Sequence, residues 1–147
     1  MRQGKREDRF AGTSELLNFF RKPYGSGWAL VGDAGYHKDP ITAQGISDAF
    51  RDAELLANAV DAGLSDTKPL EEAMSEYEQR RNEAAMPMYE FTSQLATLEP
   101  PPPEMQHLFA ALRGNQADTD RFMGILAGTT SIPEFFAPEN IRRIVGT

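Results

Sequence analysis

The chain has 147 residues, a formal net charge of -7 and no cysteine. That length suits one domain able to bury a real core, the acidity without a long basic stripe disfavours nucleic acid as a partner, and the missing thiols exclude disulfides and thiolate chemistry, which suits a cytoplasmic location. No apolar stretch reaches the length of a membrane span or a signal-peptide core, so a soluble chain is expected.

In chain order, Arg2 to Arg9 is a basic start interrupted by Glu7 and Asp8, which reads as a solvated segment. Gly27-Trp28-Ala29-Leu30-Val31 is a short apolar run, too brief for a helix, and predicts one buried strand. A lone strand cannot satisfy its own backbone groups, so an exposed edge or a homo-oligomer that covers it is expected. The strand would aim Asp33 off its C-terminal end into a loop running from Gly32 to Gly45. Beyond the loop, Ile46, Ala49, Phe50, Ala53, Leu56, Ala57 and Val60 recur at helical spacing. They predict a helix from about Gln44 to Ala62 that buries one continuous stripe.

A run of helices follows. Asp61 to Asp66, with Gly63, reads as a connection, and Thr67 as the cap of a second helix with Pro69, Glu71 and Glu72 in its first turn. Its stripe is Met74, Tyr77, Arg81, Ala84, Met88, Phe91 and Leu95, with a kink expected at Pro87 between Met86 and Tyr89. Pro100 to Pro103 forms an extended connector. Glu104 to Leu112 and Asn115 to Ala127 read as helices, Ser131 to Phe136 as a capped turn, and Pro138 to Val145 as a final helical segment. The expected fold is therefore mainly α with one short strand and a motif loop. Three segments follow: 1–27, then 28–66 with strand, loop and long helix, then the helical region 67–147.

The loop concentrates the chemistry. The first amides of a helix lack internal partners and carry partial positive charge, so they favour an anionic or carbonyl-rich group placed before Gly45 to Ser47. Asp33, acceptor-only when ionised, suits ligand hydroxyls, and Pro40 stiffens the crossing. A ribose- or ribityl-bearing cofactor fits; so does a structural turn with a capping Asp. Tyr36 and His37 are candidate proton donors set against a solvent-facing loop pair. Glu104 and His107 have Glu-x-x-His spacing but lack the second copy a carboxylate-bridged metal site needs, so no metal is expected. Phe109, Phe122, Phe135 and Phe136 with Met86, Met88, Met105 and Met123 read either as core or as the lining of an apolar pocket.

Gly32-Asp33-Ala34, Pro40, Gln44-Gly45 and Arg51-Asp52-Ala53 resemble, in order and spacing, the second FAD-binding motif of the flavin-dependent monooxygenase and geranylgeranyl-reductase superfamily. This is the para-hydroxybenzoate hydroxylase-like group. The resemblance spans about Trp28 to Ala57. It implies that Asp33, between Gly32 and Ala34, binds the ribityl chain of FAD. It also implies that Pro40 lies near the flavin ring and that Gln44, Gly45, Ile46 and Ser47 present amides to the pyrimidine edge. Tyr36, Ala43 and Ser47 stand where aromatic hydroxylases usually carry His, Gly and Asn, and Asp39-Pro40-Ile41-Thr42 with Gly45-Ile46 looks closer to the reductase and halogenase branches.

The resemblance implies a fragment of an α/β FAD-binding fold of glutathione reductase (Rossmann) type followed by a C-terminal helical region, with residues 1–27 from the substrate-domain side. No Gly-x-Gly-x-x-Gly fingerprint occurs, so the chain resembles the C-terminal third of a longer enzyme, truncated, split or mis-started at Met1. The expected function is part of an FAD-dependent oxidoreductase, monooxygenase-like, with NAD(P)H as a possible reductant, an apolar or aromatic small-molecule substrate, and a missing N-terminal half or a homo-oligomer as partner. The catalytic residues are unknown, and the chain alone is expected to be inactive. The alternative is a non-catalytic helical interaction module that keeps the motif as a turn.

Overall fold

The computed structural model describes residues 9, 12, 13 and 15–146; of the basic start, Arg2 to Asp8 lie outside the described residues. The chain is mainly helical, as its patterning implies, with four two-residue strands.

The strands form two antiparallel pairs in place of the one buried strand expected at Gly27 to Val31. β1 (Phe19–Phe20) pairs with β4 (Tyr36–His37), and β2 (Tyr24–Gly25) pairs with β3 (Trp28–Ala29). The reason is local. Gly27 adopts φ +79°, which L side chains rarely reach, and the Ser26-Gly27 turn folds β3 straight back onto β2. The backbone of the run is then satisfied nearby, with Leu30 N donating to Pro23 O at 2.7 Å. The Trp28 ring lies over Gly25, where a Cβ would come within 2.6 Å of it, so Trp28 stays 49 % exposed rather than buried.

Two long helices make the central hairpin. α1 (Gly45–Leu64) extends two residues beyond the predicted end at Ala62 and absorbs Asp61 and Gly63 from the expected connection, leaving only 65–69. α2 (Leu70–Leu95) starts behind Pro69 without a side-chain cap, since the Thr67 hydroxyl is engaged with that of Ser65 at 2.8 Å. Met74, Tyr77 and Arg81 are buried on α2 as predicted, but Ala85 and Thr92 take the places expected for Ala84 and Leu95. The helix runs without a break through Pro87. Tyr24, Ala59, Ala73, Met74 and Tyr77 form the core between the hairpin and β2.

The buried face of α1 corrects the sequence reading. Ile46 and Phe50 are 77 % and 72 % exposed, Ala53 and Ala57 are exposed, and the face turned inward carries Asp48, Asp52 and Ala59. Two carboxylates at i, i+4 spacing share one face, and burying them is tolerable only with cationic partners, which this region supplies.

Four shorter helices complete the chain: α3 (Pro103–Leu112), α4 (Gln116–Leu126), α5 (Ile132–Phe135) and α6 (Pro138–Val145). Their bounds fall within a residue or so of the predicted segments, because the punctuation is local. Pro103 and Pro138 open helices where a missing N–H costs nothing, Asn115 accepts from Asp118 N at 3.2 Å, and Gly146 ends α6 at φ +81°. Leu108, Leu112, Ile125, Phe135 and Ile144 form their common core. Asp118, almost fully buried, receives both Arg143 nitrogens at 2.9 and 2.5 Å, which clamps α6 to α4 and holds the Asp118 carboxyl below its usual range.

Candidate functional site

The Gly32 to Gly45 segment is more ordered than a loop. Gly32–Ala34 is a single 3₁₀ turn, β4 follows, and Pro40–Thr42 makes a second 3₁₀ turn that delivers the chain to α1. Gly32 sits at φ +56°, and a Cβ there would stand 3.0 Å from the Ala49 methyl, so the first turn packs directly on α1. This contact brings Asp33 over the start of α1: a Cβ built on Gly45 would be 3.8 Å from Asp33 Oδ1.

Two aspartates in the segment have opposite fates. Asp39 caps the second turn, its Oδ1 accepting from Ile41 N at 2.9 Å, and its own N–H is held by Asn18 Oδ1 at 2.7 Å. Asp33 caps nothing; it is exposed and meets no hydrogen-bond or ion-pair partner among the described residues. The structural-turn reading of the motif therefore belongs to Asp39. Gly45, Ile46 and Ser47 are exposed at the start of α1, whose first internal bond runs from Asp48 N to Gln44 O at 3.0 Å. Their amides thus lack helical acceptors.

These groups surround a cleft of about 120 Å³ lined by Asp33, Tyr36, His37, Lys38, Asp39, Pro40, Ala43, Gln44, Gly45 and Asp48. That volume takes a short polar chain and falls well below the several hundred Å³ of a complete cofactor pocket. Of the candidate residues, Asp33, Pro40, Gln44 and Gly45 line the cleft; Gly32 and Ala34 support the turn behind it, and Ile46 and Ser47 stand outside it at the helix start. Ala43 is held at φ +54°, a left-handed conformation. This gives a physical reason for the glycine usual at that position in the resembling motif.

Beneath the cleft lies a charged layer that sequence reasoning missed. Lys38 and Asp48 form a buried ion pair. Arg51 bridges outward from Asp48 Oδ1 at 2.9 Å to Asp52 Oδ1 at 2.9 Å and donates to the Tyr36 hydroxyl at 2.6 Å. Arg81, 1 % exposed, donates to Arg21 O at 2.8 Å and stacks 4.7 Å from the Phe20 ring. Among the described residues, Asp52 Oδ2 and Arg81 Nη1 have no hydrogen-bond partner. Burial lowers the Arg81 pKa, and burial also pushes the Tyr77 phenol up to about 12. The readable signal was the Asp48/Asp52 spacing together with an arginine in the apolar stripe of α2.

Tyr36 is 2 % exposed, which corrects the solvent-facing reading of the Tyr36–His37 pair. Burial raises its phenol far above the neutral range, with Arg51 opposing; the hydroxyl stays protonated near neutrality and accepts from Arg51. His37 Nδ1 lies 2.9 Å from Leu17 O, and a carbonyl only accepts, so Nδ1 carries the proton there. Glu104 and His107 are both exposed on α3.

The aromatic cluster divides between its two expected uses. Phe135 is fully buried core, whereas Phe109 and Phe122 join Phe91, Leu95, Pro100, Pro101, Pro102 and Met105 around an apolar cleft of about 210 Å³ between α2 and α3/α4. Among the described residues no helix is long and apolar enough to cross a membrane.

The family model for squalene epoxidase matches residues 14–98, which takes in all four strands, both 3₁₀ turns, α1 and α2. Neither the curated proteins nor the solved structures contain a significant match.

Proposed function

The chain belongs to the squalene epoxidase family, which is related to FAD-dependent monooxygenases, and from that premise we propose that it supplies the ribityl and isoalloxazine side of an FAD site in a monooxygenase-like oxidoreductase. One observation carries the reading: Asp33 is an exposed, uncommitted acceptor beside the open start of α1, while the capping duty of its segment falls to Asp39. The residues fit the cofactor. Gly45 leaves room for close approach next to Asp33, and a cleft of about 120 Å³ matches a polyhydroxyl chain.

In this reading Asp33 accepts from ribityl hydroxyls, and the exposed amides of Gly45, Ile46 and Ser47 donate to the carbonyl-bearing edge of the ring. Pro40 and Ala43 set the wall against which the ring rests. Lys38, Asp48, Arg51 and Asp52 hold this surface in place from below, so that little reorganisation accompanies binding. The flavin, when bound, supplies the redox chemistry, with NAD(P)H as reductant. The apolar cleft around Phe91, Met105 and Phe122 provides a surface suited to a hydrocarbon substrate of the kind named by the family.

Riboflavin tests the assignment, because it carries the ring and ribityl chain without pyrophosphate. Its fluorescence should be quenched on titration with the chain, and Asp33→Ala should weaken binding roughly tenfold or more, the loss of charge-assisted hydrogen bonds worth about 1.5–3 kcal/mol. No riboflavin response, or one indifferent to Asp33→Ala, would overturn the reading. It would favour the second one, a non-catalytic helical interaction module, which draws on the exposed Ile46, Phe50, Ala53 and Ala57 face of α1.

A further inference from the structure

The last residues before α1 are tied to distant parts of the chain. Gln44 Nε2 donates to Leu126 O at 2.5 Å, spanning 82 residues to the C-terminal end of α4. Two residues earlier, the Thr42 and Thr92 hydroxyls meet at 2.8 Å; both residues are buried, at 4 % and 0 % exposure. Between these anchors Ala43 holds its left-handed φ of +54°. A non-glycine residue is strained there, and such strain persists only when the surroundings over-determine it.

The anchors fall where the walls of the apolar cleft stand. Thr92 follows Phe91 on α2, and Leu126 lies one turn beyond Phe122 on α4; Phe91 and Phe122 line that cleft. The two clefts therefore share a mechanical connection through Thr42 and Gln44. Leu126 also lies outside the matched segment 14–98, so residues beyond the family match help to hold the cofactor segment.

We propose that Gln44 is a positioning residue: its carboxamide, anchored on the Leu126 carbonyl and seconded by the Thr42–Thr92 hydroxyl pair, fixes the Pro40 to Ser47 wall of the cofactor cleft against the C-terminal helices. The cofactor cleft is thus set by how α4 docks rather than by α1 alone. The inference rests on the proposed function only in taking that wall to face a flavin.

Gln44→Glu keeps shape and removes the donor, since a carboxylate cannot donate to a carbonyl, whereas Gln44→Lys restores a donor. Amide hydrogen exchange on the full chain should show, within 40–47, the hydrogen-bonded amides of Ile41 and Ala43 exchanging at least tenfold faster in Q44E, with 52–64 and 70–85 unchanged, and Q44K returning towards the parent. Thr42→Val should give the same local pattern. Riboflavin affinity should fall about threefold in Q44E with the melting temperature preserved. Unchanged exchange at 40–47 in both Q44E and T42V, or acceleration spread evenly over the chain, overturns the proposal. Absence of riboflavin binding by the parent chain defeats the cofactor reading instead, and the exchange comparison still decides the role of Gln44.

Discussion

The two ends of the molecule are held by opposite means. Under the Gly32 to Gly45 segment the interior is ionic: Lys38, Asp48, Asp52 and Arg81 are all buried, and Arg51 reaches in to join them. In the C-terminal region the interior is mainly hydrocarbon, the Asp118–Arg143 clamp apart, with Phe109, Phe122, Phe135 and Phe136 in successive ring contact at 5.3–5.7 Å and Leu108, Leu112, Ile125 and Ile144 packed around them. An apolar core is non-directional and stabilises whatever shape fills space. A hydrogen-bonded charge network stabilises one arrangement and penalises its neighbours, so the Gly32 to Gly45 segment above it is fixed more narrowly than an apolar core would fix it.

That contrast can be broken by mutation. The largest effect should come from Phe135→Ala, which empties a fully buried aromatic site and should cost about 4 kcal/mol in denaturant unfolding; a cost under 1 kcal/mol would mean the C-terminal core collapses freely. Next, Asp52→Ala removes a carboxylate with 0 % exposure from Arg51 and should cost about 3 kcal/mol. If equilibrium unfolding shows Asp52→Ala to be neutral, the ionic layer is not what holds the segment. Smallest, and opposite in sign, Ala43→Gly should raise stability by roughly 0.5 kcal/mol by relieving the left-handed strain at φ +54°. A destabilisation there would show that Ala43 contributes packing that outweighs its backbone.

The same contrast governed how much could be read from sequence. Local punctuation marks the ends of elements, so α6 between Pro138 and Gly146 and α4 behind Asn115 were legible almost to the residue. The extent of α1 was legible, but its inward face was not. Apolar periodicity assumes that carboxylates face water, and Asp48 and Asp52 violate that assumption with partners drawn from Lys38 and Arg51. That Asp33, Pro40, Gln44 and Gly45 line one cleft was legible because they stand close together in the chain, between a turn and a helix start. Nothing local encodes that Gln44 would reach Leu126, or Thr42 reach Thr92, since those contacts exist only once α2 and α4 have packed.

Gly63 makes the hairpin a gauge of distance. A Cβ at this position would stand 2.4 Å from Leu70 Cδ1 and 3.1 Å from Leu70 Cα, so any larger residue would have to move the Leu70 side chain and ease the closed end of the α1–α2 pair apart by a few tenths of an ångström. Both helices leave that end as stiff rods. About fifteen residues separate Gly63 from Asp48, or roughly 22 Å at 1.5 Å per residue. Like tongs pinched near the pivot, the pair converts a few tenths of an ångström at Gly63 into a larger displacement further along, where Asp52 of α1 acts electrostatically on Arg81 of α2. A single absent methyl at the base of the hairpin thus helps to set how closely the two helices can approach along their length.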